Sequence, residues 1–404
     1  MSTLIKFTPI GSVKPTWSSR REGAFDFRAN NRTKERSRQF SPLHRERYFA
    51  DLSQAGRGSF PEAACATTLC EYGVGNGWVP EEAGGLGIDY TSSALLYEEL
   101  ARISPDLAGL AYVHEGAAMK LFRGGSDAMK RRYLPGLLSG QLIGCSAVTE
   151  PSRGSGVRGM RTRAVADGDD HLVNGEKTFI SNAPIADVIM LTAKTGSQEF
   201  TILLVDPREH KIETREISKL GLTGWSLGQV NFAETRISKE FVIGGVGAGL
   251  RETMRGFERA RIFIALIALG IGQAALDAAI RYAKEREQYG KPIGTFQLVQ
   301  ELIADMATEL HAGRLLTYRA TAMLDQKVRC NLESSMAKAY ATEAAVRIAS
   351  KAIQVHGAYG LTREFPLERH FRDARMLTVP DGTTQINQLV IGRELLGLDA
   401  FGTG

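Results

Sequence analysis

Three stretches of the chain combine residue types that could hold a charged ligand. In the first, Val148-Thr149-Glu150-Pro151-Ser152-Arg153-Gly154-Ser155-Gly156, hydroxyls sit among small residues. A Gly/Ser loop of this kind lets backbone N–H groups come close to an anion, because glycine has no Cβ to hold the ligand away. The same composition suits a plain linker between domains. The second runs from Arg286 through Gln288, Tyr289, Gly290, Lys291 and Pro292 to Phe296 and Gln297. Arg286 could clamp a phosphate, but the dipole of a helix C-terminus favours an arginine there without any ligand. The third joins Gln354-Val355-His356-Gly357-Ala358-Tyr359-Gly360 to Pro380-Asp381-Gly382-Thr383-Thr384-Gln385. Gly357 and Gly360 permit close backbone approach and serve equally as helix C-caps. Asp381 reads as turn chemistry and as a helix N-cap ahead of Thr383-Thr384-Gln385-Ile386. His356 has no neighbour at metal-ligand spacing and is given no proton-transfer role.

The elements that must carry these clusters fall into three blocks. From about residue 40 to 140 the pattern is helical, with Ser92 to Leu100 placing apolar residues at i, i+3 and i+4 after the breaker Gly84-Gly85-Leu86-Gly87. Between about 141 and 245 the period shortens to β-like runs, Val188 to Thr192 and Phe200 to Val205 among them, with turn dipeptides at Asn174-Gly175 and Asp206-Pro207. Helical periodicity returns over about 250 to 287, 296 to 327 and 331 to 356. Helices, strands and helices in that order argue for segregated α and β regions and against alternating βαβ units. Neither a GxGxxG after a strand nor a GxxxxGK[ST] is present, so nucleotide phosphates, if bound, are held some other way.

At roughly 150 residues per domain, 404 residues allow two to three domains. A 43% hydrophobic and 24% charged composition sets aside disordered, collagenous and membrane classes. The net charge of +5 is too small to name a polyanionic partner. Arginines crowd the N-terminal fifty residues, but Glu22, Asp26, Glu35 and Glu46 interrupt them, and no nucleic-acid partner is expected. Cys65, Cys70, Cys145 and Cys330 have neither disulfide-framework nor zinc spacing, so buried thiols and no metal site are expected. No apolar run reaches about 18 residues and no signal-peptide core opens the chain, which predicts no membrane span and a cytoplasmic protein.

Taken in order, the clusters resemble the acyl-CoA dehydrogenase family of flavoproteins from about Pro42 to Leu398. Val79-Pro80-Glu81-Glu82-Ala83-Gly84-Gly85-Leu86-Gly87 resembles the family's "PEEyGGLG", and Val148-Thr149-Glu150-Pro151 with Gly154-Ser155 its first signature. Asn174-Gly175-Glu176-Lys177 with Phe179-Ile180-Ser181-Asn182 resembles "NGxKxxITN". Arg286 to Lys291, Gln354 to Gly360 with Arg369 and Asp373, and Asp381 to Gln385 complete the match. Gly156 stands where the family usually has Asp, and Ala358 where it has Gly.

The resemblance implies a mainly α protein with a central β domain. It divides the chain into a basic extension (1–40), an N-terminal helical domain (41–143), a β-barrel-like middle domain (144–246) and a C-terminal four-helix bundle (247–404). It further implies a homo-oligomer, dimer or tetramer, with FAD at a subunit interface. By resemblance, Val148 and Thr149 contact the flavin pyrimidine edge, Ser181 places its hydroxyl near N5, and Ser155 serves the phosphates. Arg286, Gln288 and Tyr289 reach the FAD of a neighbouring subunit, Gln354 and Gly357 line its adenosine side, and Thr383 and Gln385 its diphosphate and ribose. Glu258 and Arg261 lie where the family meets coenzyme A.

The implied chemistry is α,β-dehydrogenation of an acyl thioester carried by coenzyme A or a carrier protein. The α-proton goes to a carboxylate base and the β-hydride to flavin N5, with an electron-transferring flavoprotein as usual acceptor. The base position is Asp381, where the family usually has glutamate; the alternative position is Ala260. An aspartate falls about 1.5 Å short, one C–C bond. Two other readings keep the scaffold: a flavin-dependent oxidase or monooxygenase, and a non-catalytic flavoprotein in which Asp381 is only a cap.

Overall fold

The computed structural model describes residues 62–398, so the basic N-terminal segment and the start of the resemblance at Pro42 lie outside the described residues. The first block holds α1 (Glu62–Glu71), α2 (Tyr90–Ile103), α3 (Pro105–Gly124) and α4 (Asp127–Leu138). Local chemistry sets their ends. Asp89 caps α2 by accepting from Ser92 N at 2.7 Å, Pro105 opens α3, and Ser126 caps α4 through Met129 N at 3.3 Å.

The second block is one eight-stranded sheet: β1 (Gly144–Ala147), β2 (Arg163–Asp167), β3 (Asp170–Ser181), β4 (Val188–Lys194), β5 (Phe200–Val205), β6 (Ile212–Glu216), β7 (Leu227–Ser238) and β8 (Val242–Ile243). The order is β6-β7-β3-β2-β4-β5-β8, with β1 paired parallel to β4. β5, next to the edge strand β8, is buried at every position and reads as a nearly continuous apolar run, whereas β3 and β7 largely alternate. His114 ties this sheet to α3: Gly144 N donates to its Nδ1 at 3.1 Å, and Leu137 O lies 2.8 Å from its Nε2. Burial lowers the His114 pKa to about 4, so the ring is neutral and its tautomer is fixed by these two partners.

The third block packs α5 (Gly249–Glu285), α6 (Gln297–Asp325) and α7 (Asn331–His356) with the shorter α8 (Leu367–Leu377) and α9 (Thr384–Leu396). Alanines 337, 341, 344, 345, 349 and 352 of α7 are all but fully buried, and such small side chains let α7 lie close to α5. Gly270 does the same where α5 crosses α2, since a Cβ there would fall 2.6 Å from Arg102 N. Between α5 and α6, residues β9 (Glu287–Gln288) and β10 (Lys291–Pro292) form a hairpin turned by Tyr289 at φ 54° and Gly290 at φ 76°.

The apolar stretch of α5 bears on the membrane expectation. Helix α5 contains an 18-residue stretch of mean hydropathy 2.0, long and apolar enough to cross a membrane, although a few polar residues interrupt it. It is 78% buried inside the protein and forms the axis of the bundle, which accounts for its apolar character. All four cysteines are free and buried.

Candidate functional site

The loop from Thr378 to Thr383 carries Asp381 to the junction of α3, α5 and α7. Asp381 is not the cap of α9; Thr383 is, accepting from Ile386 N at 3.2 Å. Asp381 instead adopts φ 53°, a left-handed conformation that aspartate tolerates better than most residues. The loop holds it there by several bonds. Lys338 Nζ donates to Thr378 O at 2.8 Å and Gly382 O at 2.7 Å, and Asn387 Nδ2 donates to Gly382 O at 2.8 Å and Thr383 O at 3.0 Å. Lys338 is fully buried, and that burial brings its pKa down to about 8.

The Asp381 carboxylate accepts from the Tyr112 hydroxyl on α3, Oη to Oδ2 2.5 Å. Burial pushes its pKa above the ordinary carboxylate value, while the Tyr112 bond and the cations Lys338, Arg261 and Lys120 pull it back. Tyr112 is stacked on Phe263 with centroids 6.2 Å apart and meets Trp225 edge-on at 5.9 Å. Trp225 can approach α3 this closely only because residue 109 is glycine: a Cβ there would lie 2.5 Å from the indole. Tyr112→Phe removes a bond that favours ionised Asp381, so the acid limb of any Asp381-dependent rate should move to higher pH. A pH–rate profile of flavin reduction checks this, and an unmoved limb separates Tyr112 from the base.

The ends of β1 and β3 form a second wall. Lys177 Nζ, fully buried, donates to Glu150 Oε1 at 3.0 Å and Val148 O at 2.9 Å, and Glu150 also accepts from Arg161 N at 2.6 Å and Thr162 N at 2.8 Å. Thr178 N donates to Thr149 O at 2.9 Å, which brings β3 and thereby Ser181 alongside. The Thr149 and Ser181 hydroxyls are half-buried and take no bond among the described residues. Such a pair fits the polar edge of a flavin ring. Ser155 is exposed between Gly154 and Gly156, where an added Cβ would meet nothing within 4 Å, leaving space for a phosphate. Asn182, at φ 65°, locks the wall to the helices: its Nδ2 donates to Leu110 O at 3.1 Å and its Oδ1 accepts from Trp225 Nε1 at 3.0 Å.

The other expected residues separate into two groups. Glu258 and Arg261 are buried near the site and join α5 to the start of α7. Glu258 accepts from Arg329 Nε at 2.8 Å and from Cys330 N, and Arg261 Nη1 donates to Asn331 Oδ1 at 2.7 Å and Ser335 Oγ at 3.1 Å. Arg286, Gln288, Tyr289, Gln354 and Gly357 form an exposed patch at the far end of the bundle, where the Arg286 guanidinium lies 6.0 Å from the Tyr359 ring centre. At about 1.5 Å rise per residue, Arg261 and Arg286 on one helix stand roughly 37 Å apart. Gln385 is exposed and Thr383 half-buried. Sequence reading missed Tyr112 and Lys338; a lone lysine on the alanine face of α7 is the one signal that could have pointed to the latter.

Comparison with known proteins agrees with this architecture. Residues 32–141, 145–235 and 247–396 match, in turn, the families described as "Acyl-CoA dehydrogenase, N-terminal domain", "Acyl-CoA dehydrogenase, middle domain" and "Acyl-CoA dehydrogenase, C-terminal domain". The chain is 37% identical over 349 residues to the caffeyl-CoA reductase-Etf complex subunit CarC of Acetobacterium woodii, covering 84% of this chain and 91% of that protein. A glutaryl-coenzyme A dehydrogenase solved with glutaryl-CoA superposes with a TM-score of 0.87 at 34% identity, over 92% of this chain and 97% of that one. The FAD complex of PigA superposes with a TM-score of 0.87 at 29% identity, over 93% of this chain and all of the other. With all three domains matched in order along one chain, the protein belongs to the acyl-CoA dehydrogenase family of flavoproteins, oxidoreductases that act on CH–CH groups of acyl thioesters.

Proposed function

We propose that the protein binds FAD and removes the α-proton of an acyl thioester with Asp381. The observation that carries this is the half-buried Asp381, fixed in a left-handed loop by Lys338 and bonded by Tyr112 through Oδ2 alone. Oδ1 is the oxygen left to take the proton. A half-buried carboxyl whose pKa desolvation raises, yet which the Tyr112 bond and three cations hold in check, suits a base that must be ionised to work and protonated afterwards.

Val148, Thr149 and Ser181 would hold the flavin ring and Ser155 its phosphates. Bound FAD supplies the acceptor for the β-hydride. Trp225, Tyr112 and Phe263 keep the reaction space apolar around the acid–base pair. Arg286, Gln288, Tyr289, Gln354 and Gly357 cannot meet the same flavin from within one chain, given the helical distance from Arg261. That separation supports a homo-oligomer in which they serve a neighbouring copy's FAD, while Thr383 and Gln385, beside Asp381, would meet the diphosphate and ribose of an FAD. The CarC relative's naming in an Etf complex supports an electron-transferring flavoprotein as acceptor.

The test is an anaerobic visible spectrum of the FAD-bound protein as thioesters of differing length and branching are added. Bleaching of the oxidised band by one group of thioesters is the expected result. Bleaching followed by rapid recovery in air would move the reading to an oxidase, and a band that no coenzyme A or carrier-protein thioester bleaches would sink it.

A further inference from the structure

One face of α3 carries Tyr112, Gly116 and Lys120 at i, i+4 and i+8, stacked along the helix. Tyr112 bonds Asp381. Gly116 leaves a gap where the next side chain would be, and a Cβ placed there would come within 3.6 Å of Arg259 Nη1. Lys120 stands at the far side of the gap, its Nζ donating to Ser146 Oγ at 2.9 Å. Across the seam on α5, Gly256 faces Lys120, with 4.0 Å between an added Cβ and Lys120 Cε.

Strand alternation decides where the Lys120 ammonium ends. Cys145 and Ala147 are fully buried in the core of the sheet, so Ser146 and Val148 point to the opposite face. The Asp381 carboxylate and the Arg259 guanidinium both lie close enough to act on the Lys120 ammonium there. The Lys120 ammonium thus stands between the Cys145 thiol on one side and Asp381 on the other.

The charges there are incompletely answered. The Arg259 guanidinium lies flat on Trp78, 3.2 Å from the ring centre, with Glu115 3.6 Å from its Nη2. Its Nε and Nη2 are buried without a hydrogen-bond partner. Glu115 is already bonded by the Tyr97 hydroxyl at 2.7 Å. Lys120 has a neutral hydroxyl as its bonded partner, with the Asp381 and Glu252 carboxylates acting on it from beyond hydrogen-bond range. Burial brings its pKa down to about 8, so it is still mainly protonated at neutral pH. Two half-buried cations that lack full hydrogen-bonded partners favour an anion between them.

We propose that the acyl group carries a negative charge of its own, a carboxylate beyond the thioester, received by Lys120 and Arg259 across the gap at Gly116. This rests on the reading of the site as one for acyl thioesters. It goes further by naming the chemical class of the acyl group and the residues that select it.

The test compares coenzyme A thioesters of matched chain length, one series ending in a methyl group and the other in a carboxylate. Binding to the FAD-bound protein is read from perturbation of the flavin band, which needs no turnover, and reduction from its bleaching. A charge-assisted pair predicts that the carboxylated series binds about 10- to 100-fold more tightly. In Lys120→Met and Arg259→Met that ratio should fall towards one. Equal or tighter binding of the methyl series overturns the inference, as does a Lys120→Met protein that keeps the full preference. A Lys120→Met protein whose flavin potential shifts with no thioester present, its preference intact, would make Lys120 a group that tunes the flavin instead. Preferential binding of the carboxylated series without bleaching would uphold the inference while overturning dehydrogenation.

Discussion

Asp381→Asn should leave FAD bound and slow its reduction by thioester about 100- to 10,000-fold, the usual contribution of a positioned general base. The substitution is close to isosteric. The Asn side-chain oxygen still accepts from Tyr112, the loop stays pinned by Lys338 and Asn387, and only the capacity to take a proton is lost. Stopped-flow bleaching under anaerobic conditions checks this, with flavin content measured on the same sample. Near wild-type reduction would remove Asp381 from the chemistry and leave its left-handed loop as architecture alone.

The largest stability effect is expected at Lys177→Met. The ammonium is fully buried, and its loss leaves Glu150, itself 5% exposed, as a carboxylate without its counter-charge. Removing one partner of a buried pair typically costs about 3–5 kcal/mol, because the remaining charge is stranded. Val148 O loses its donor at the same time, so the strand end proposed to meet the flavin should loosen and flavin occupancy should fall with stability. Denaturant midpoints for Lys177→Met, Glu150→Gln and the double variant form the cycle. The double should cost clearly less than the sum of the singles. A Lys177→Met loss within about 0.5 kcal/mol would show that the pair is not holding the wall.

The sequence alone carries a good deal of this protein. Hydrophobic period separates the helical blocks from the strands, since a face repeating every 3.6 residues and one repeating every two cannot be confused over long segments. The break at 286–296 is legible because Gly290 and Pro292 cannot continue a helix, although the hairpin they make was not foreseen. The motif containing Lys177 is visible as a string of letters. Its partner Glu150, 27 positions earlier, becomes one only when β1 and β3 meet.

Local reading fails where long-range contact outweighs local chemistry. Asp381 reads as a cap because Pro-Asp-Gly-Thr is good capping sequence, yet Thr383 takes that task and the Asp381 carboxylate turns to a tyrosine 269 positions away. Helical spacing puts Tyr112 and Lys120 on one face of α3, but no spacing rule links that pair to Arg259 or Lys338, which sit on two other helices and look like ordinary helix residues in the chain. The family and the order of its domains were thus determined by the sequence, through local periodicity and short motifs, and the same motifs single out Asp381 as the proposed base. The hydrogen bond on Asp381, the lysine that pins its loop and the cations facing the Gly116 gap were decided by helix packing, because desolvated charges acquire partners only when distant segments exclude water around them.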